Sequence, residues 1–138
     1  MKYFSSKLVF KEVPSEISLA IEITGCPLRC KGCHSPHLRN HKLGTELTNQ
    51  EFIRLLLKYK DAITCVVFLG GEWYKEGLVD KLVIAKNIGL KTALYTGEES
   101  VSEDILQHLN YLKTGPYIEH LGGLESPDTT NQKLIRIK

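Results

Sequence analysis

The sequence predicts an α/β fold built on a mostly parallel sheet, and three observations predict it. Short apolar runs rich in Val, Ile and Leu recur along the chain, amphipathic segments at helical spacing separate them, and Gly-containing turns close them. Strands alternating with helices imply βαβ units, because parallel neighbours need a crossover between them. At 138 residues the chain is expected to form a single domain over residues 1–138, with one moderate core.

Taken in order, Lys7-Leu8-Val9-Phe10 suggests a first short strand, and Val13-Pro14-Ser15 a break. Residues 17–23 alternate apolar with polar or small side chains, as a strand does, and run straight into Thr24-Gly25-Cys26. Residues 39–44 are polar and read as a loop. Thr48 and Glu51 stand at capping-box spacing, and Phe52, Leu55, Leu56 and Tyr59 then place one apolar face on a helix. Residues 63–69 are continuously apolar, which suits a buried parallel strand, and end in Gly70-Gly71-Glu72. The next helix uses Leu78, Leu82 and Ala85, flanked by Val79 and Val83, with Gly89 placed to stop it. Residues 91–95 form a strand closed by Thr96-Gly97, and Ser100 with Glu103 offers another capping box ahead of Ile105, Leu106 and Leu109. Residues 111–113 and 133–137 complete the strands. Neither repeats nor low-complexity tracts are visible.

Composition narrows the function. Hydrophobic residues make up 42% and charged residues 25%, as in an ordinary globular protein. A net charge of +2 without a Lys/Arg block argues against nucleic acid. The longest apolar runs are too short to span a bilayer, and no signal-length stretch follows Met1. The expected location is cytoplasmic, where thiols stay reduced.

Chemistry concentrates in Gly25-Cys26-Pro27-Leu28-Arg29-Cys30-Lys31-Gly32-Cys33-His34-Ser35-Pro36. Three thiols stand there at C-x3-C-x2-C spacing, within turns forced by Gly and Pro. Thiolates bind iron–sulfur clusters and zinc, and such sites normally take four protein ligands, so three leave a coordination position free. A zinc site completed by His34, His37 or His41 is the competing reading; a disulfide framework is disfavoured by the reducing compartment and the modest count of four cysteines. In a parallel sheet the loops after successive strands emerge at one edge, so the cysteine loop, Gly70-Gly71-Glu72 and Tyr95-Thr96-Gly97 are expected to face one another. Gly70 and Gly71 permit positive φ or close approach to a ligand, and Glu72 offers a carboxylate suited to an amino group. Cys65, inside an apolar strand, reads as a buried small hydrophobe. Trp73 suits either a lid or packing beneath the loop.

The cysteine triplet together with Gly70-Gly71-Glu72 resembles the radical S-adenosylmethionine superfamily. Within it, the chain is similar to the activating proteins of anaerobic ribonucleoside-triphosphate reductases, through the cysteine loop, Tyr95-Thr96-Gly97, Thr114-Gly115-Pro116-Tyr117 and Thr129-Thr130-Asn131-Gln132-Lys133. The resemblance implies that Cys26, Cys30 and Cys33 hold three irons of a [4Fe–4S] cluster and that S-adenosylmethionine chelates the fourth through its amino and carboxylate groups. It further implies that Gly71 and Glu72 help hold the methionyl amino group; by their places in the chain Gly70, His34 and Thr96 are further candidates for contact with the cofactor. Reductive cleavage would give a 5′-deoxyadenosyl radical, which abstracts hydrogen from a glycine of the large reductase subunit. An electron donor such as flavodoxin or ferredoxin is a second implied partner. Activation of another glycyl-radical enzyme, of the formate-lyase type, and a non-catalytic zinc or iron–sulfur module are the alternatives. A closed eight-unit barrel takes typically ~250 residues, so the expected architecture is a partial β/α barrel of the radical-SAM type, open on one side to the partner. Trp73-Tyr74 stands where the family often has Pro, and residues 13–18 lack the Asp-Gly-Pro-Gly-type stretch of many activating proteins.

Overall fold

The computed structural model describes residues 1–10, 13–25, 44–98, 100–115 and 133–137. Among the described residues, seven strands form one sheet in the order β3-β1-β2-β4-β5-β6-β7. They are β1 (Lys2–Val9), β2 (Ser18–Ile23), β3 (Thr45–Glu46), β4 (Cys65–Leu69), β5 (Lys91–Tyr95), β6 (Tyr111–Thr114) and β7 (Lys133–Arg136). The central β2, β4, β5 and β6 are parallel, whereas β1 pairs antiparallel with β2 and β7 with β6. The first and last strands of this order do not pair with each other, so the sheet is open, a partial α/β barrel and not a closed one.

Register decides which side chains share a face. Ala20, Val67, Ala93 and Tyr111 lie abreast, as do Glu22, Leu69, Tyr95 and Lys113 nearer the carboxyl end. The alternate residues Leu19, Ile21, Ile23, Val66, Phe68, Leu94 and Leu112 join Phe52, Leu55, Leu56, Leu78, Leu82, Ala85, Ile105 and Leu109 in one core. Helices α1 (Asn49–Tyr59), α2 (Lys75–Ile88) and α3 (Glu103–Leu106) therefore share one face of the sheet. The other face carries the smaller cluster of Val9, Val13, Ala20, Cys65, Val67, Ala93 and Tyr111. Cys65 is fully buried, and burial pushes its thiol up to about 12, which suits an inert packing residue.

Local rules explain most boundaries. The Thr48 hydroxyl accepts from the Glu51 amide at 3.1 Å, so α1 starts at the expected cap. The box is only half made, because the Glu51 carboxylate turns to Arg54. The N-terminus of α3 departs further. Its cap is Ser102, not Ser100, and the Ser102 side chain makes no capping bond. Gly89 ends α2 with φ +100°; its amide reaches Lys86 O at 3.0 Å and Leu90 reaches Ala85 O at 3.0 Å, a Schellman closure. β1 begins at Lys2, five residues before the strand expected at Lys7, because β3 pairs with Lys2 and Tyr3. β2 is buried along its whole length, Ser18 and Glu22 included, since a central parallel strand is covered on both faces. Among the described residues, no helix is long and apolar enough to cross a membrane.

Candidate functional site

The carboxyl ends of the parallel strands are stitched into one edge. The Gly70 amide donates to Tyr95 O at 2.9 Å and the Thr96 amide to Lys113 O at 2.9 Å. Thr24, which follows β2, donates its amide to Lys2 O at 3.0 Å and its hydroxyl to the same oxygen at 3.3 Å. The entry to the cysteine loop is thus fixed to the edge that carries Gly70 and Thr96. Cys26, Cys30, Cys33 and His34 themselves lie outside the described residues, as do His37 and His41.

Two successive glycines turn the chain at the end of β4, with φ +87° at Gly70 and +115° at Gly71. A Cβ on Gly70 would lie 2.5 Å from Trp73 Cη2, and one on Gly71 would lie 3.3 Å from Ile23 Cγ1 and 3.4 Å from Met1 Cε. Both positive φ and lack of space therefore demand glycine. The Tyr74 amide bonds to Gly71 O at 2.9 Å, closing a single 3₁₀ turn over Glu72–Tyr74. That turn aims Glu72 at the end of β5.

Glu72 Oε1 accepts the Thr96 hydroxyl at 2.5 Å. Its Oε2 is enclosed and has no hydrogen-bond partner among the described residues. Burial, aided by the charge of Glu98, raises the Glu72 carboxyl above its usual range, against the lowering effects of the Thr96 bond and of Glu72's own backbone amide. An enclosed carboxylate oxygen without a donor is costly unless something supplies one.

The expected residues Gly70, Gly71, Glu72 and Thr96 are thus brought together. Trp73 resolves as a brace and not as a lid, since its ring lies against Gly70 and its indole N–H donates to Thr24 O at 3.1 Å. That bond ties the Gly-Gly-Glu corner to the root of the cysteine loop. Sequence reading did not single out Thr24, Glu22 or Lys113. Glu22 and Lys113 share the row nearest the edge, with Lys7 Nζ 3.6 Å from the Glu22 carboxylate and Lys113 Nζ 5.1 Å from the centre of the Tyr95 ring. The period-two pattern of β2 and β6 was the available signal for this row, but it shows only once the register is known.

Residues 21–138, which begin inside β2 and include this corner and the three cysteines, match the family model described as the Radical SAM superfamily. The chain belongs to the radical SAM superfamily. Over 100 residues it is 36% identical to the pyruvate formate-lyase-activating enzyme of Clostridium pasteurianum, covering 67% of this chain and 42% of that protein. The chain thus spans less than half the length of the curated relative it matches. Radical SAM membership implies S-adenosylmethionine and an iron–sulfur cluster, and the residues present fit both. The cysteine triplet is a soft donor set short of the usual four, and Glu72 Oε2 is an enclosed acceptor that no donor among the described residues reaches.

Proposed function

We propose that this chain is a glycyl-radical activating enzyme that cleaves S-adenosylmethionine reductively and acts on the anaerobic ribonucleoside-triphosphate reductase. The observation that carries the reading is Glu72 Oε2, enclosed and without a hydrogen-bond partner among the described residues, on a Gly-Gly corner at the edge where β2 leads towards Cys26. Cys26, Cys30 and Cys33 would ligate a [4Fe–4S] cluster, and Glu72 would accept an N–H of the methionyl amino group of S-adenosylmethionine. Bound there, the two groups supply one-electron cleavage of the sulfonium and a carbon radical able to take hydrogen from a glycine.

The chain's own residues do the rest. Gly70 and Gly71 let the backbone turn without a side chain in the way, and Trp73 ties that turn to Thr24, two residues before Cys26. His34 is assigned to the cofactor's surroundings. The large reductase subunit would present the glycine, and flavodoxin or ferredoxin would deliver the electron. Thr114-Gly115-Pro116-Tyr117 and Thr129-Thr130-Asn131-Gln132-Lys133 favour the reductase as target. The similarity to a pyruvate formate-lyase-activating enzyme favours a second reading, in which the target is a formate-lyase type of glycyl-radical enzyme.

The test is anaerobic reconstitution with iron and sulfide, then reduction in the presence of S-adenosylmethionine and each candidate partner. The reading expects 5′-deoxyadenosine and a glycyl-radical spin signal on the reductase subunit. A colourless protein holding stoichiometric zinc would overturn it, and a radical formed only on a formate-lyase type of partner would change the target.

A further inference from the structure

We propose that Thr96 is a positioning residue that acts through Glu72, fixing the carboxylate so that its second oxygen is left to receive the ligand's amino group. This rests on the reading that Glu72 is the receptor of the methionyl amino group.

Sequence alone places Thr96 beside the cofactor; the structure gives its hydroxyl a different task. Thr96 is 3% exposed. Its Oγ1 accepts the Glu98 amide at 3.0 Å and donates to Glu72 Oε1 at 2.5 Å. A hydroxyl has one proton, and the amide that points into one of its lone pairs directs that proton towards Glu72. Thr96 therefore has no proton left for a ligand. A carboxylate is otherwise free to turn about its last bond, so either oxygen could meet the ligand. Anchoring Oε1 removes that freedom and leaves Oε2, enclosed and without a partner among the described residues, in one place.

The anchor is itself held. The Thr96 amide is bonded to Lys113 O on β6 at 2.9 Å, and the Gly70 amide to Tyr95 O on β5 at 2.9 Å. Donor and acceptor thus hang from adjacent parallel strands whose relative position is set by the sheet. The hydroxyl also favours the charged form of Glu72, which burial opposes. A charged carboxylate is the stronger acceptor for an N–H of the amino group.

The test compares affinity for S-adenosylmethionine with affinity for the analogue lacking the α-amino group, by equilibrium dialysis on the reconstituted protein under anaerobic conditions. A charge-assisted hydrogen bond to the amino group gives the native chain a preference of about tenfold or more. Thr96→Val is expected to lose most of that preference while binding the desamino analogue as before, and Thr96→Ser is expected to restore it. A purely structural role would weaken both ligands alike and lower the melting temperature in step. A second handle is Thr96→Val added to Glu72→Gln, which should cost no further preference if the two side chains act as one unit. The proposal is overturned if Thr96→Val keeps the full preference, or if both ligands weaken together. A native chain that binds both ligands equally would instead overturn the reading of Glu72, and the proposal with it.

Discussion

Glu16, at the amino end of the parallel strands, and Glu72, at their carboxyl end, are acidic groups of one sheet in opposite states of satisfaction. Glu16 is enclosed and accepts from Thr64 Oγ1 at 2.6 Å, Lys91 Nζ at 2.9 Å and Tyr111 Oη at 2.8 Å. Those donors stand just before β4, at the start of β5 and at the start of β6, so one carboxylate fastens three strands. Glu72 receives the Thr96 hydroxyl on Oε1, while its Oε2 has no hydrogen-bond partner among the described residues. Burial alone would raise both groups. At Glu16 the hydrogen bonds of Thr64, Lys91 and Tyr111 and the charge of Lys91 outweigh it and hold the carboxyl below its usual range, whereas Glu72 stays raised. The contrast separates a carboxylate that is part of the fold from one that the fold leaves for a ligand.

The largest expected effect lies at the satisfied end. Glu16→Gln faces the Lys91 ammonium and the Tyr111 hydroxyl with an amide and should cost about 2–3 kcal/mol, the usual loss for buried hydrogen bonds to a charged group. Denaturant unfolding would measure it, and cofactor binding should be unchanged. Next comes Gly70→Ala, which combines a positive φ with a clash against Trp73; about 1–2 kcal/mol is expected from the backbone alone, with weakened cofactor binding because the Glu72 turn must shift. Dialysis beside unfolding would reveal whether the two losses travel together. A smaller effect is expected for Trp73→Phe, which keeps an aromatic ring but loses the bond to Thr24 O, about 1 kcal/mol, together with part of the indole's packing against Gly70. Its informative readout is iron content after reconstitution, which should fall if the brace positions the cysteine loop.

The two carboxyls should also give opposite pH signatures. Glu16, lowered in the folded state, binds fewer protons there than when unfolded, so it contributes stability above its unfolded value that is lost as pH falls through its folded one. Glu72, raised in the folded state, does the reverse, and stability declines as pH rises from its unfolded value through its folded one. Unfolding followed from acid to neutral pH should therefore lose its rising limb in Glu16→Gln and part of its falling limb in Glu72→Gln.

How much of this was legible in the sequence depends on distance along the chain. The helical face of Phe52, Leu55 and Leu56, the limits of β5 and the stop at Gly89 follow from local rules, and the structure shows all of them. The Gly70-Gly71-Glu72 corner was legible because two glycines before an acidic residue are conspicuous at the end of an apolar run. The bond between Trp73 and Thr24 was not, since 49 residues separate the partners and either side chain alone looks ordinary. Glu16 escaped notice for the same reason, because its donors lie 48, 75 and 95 residues away. The α3 cap was misplaced because Ser100 and Ser102 are equivalent by propensity, and packing of Ile105 and Leu109 into the core decides between them.

The most direct measurement sets the two carboxyls side by side: Glu16→Gln and Glu72→Gln, each assayed for melting temperature and for S-adenosylmethionine binding after anaerobic reconstitution. The account predicts a crossed result, in which Glu16→Gln melts lower and binds normally, while Glu72→Gln melts at or above the native temperature and loses binding by tenfold or more, the worth of about one charge-assisted bond. Glu72→Gln that binds normally, or that melts lower than Glu16→Gln, would contradict it.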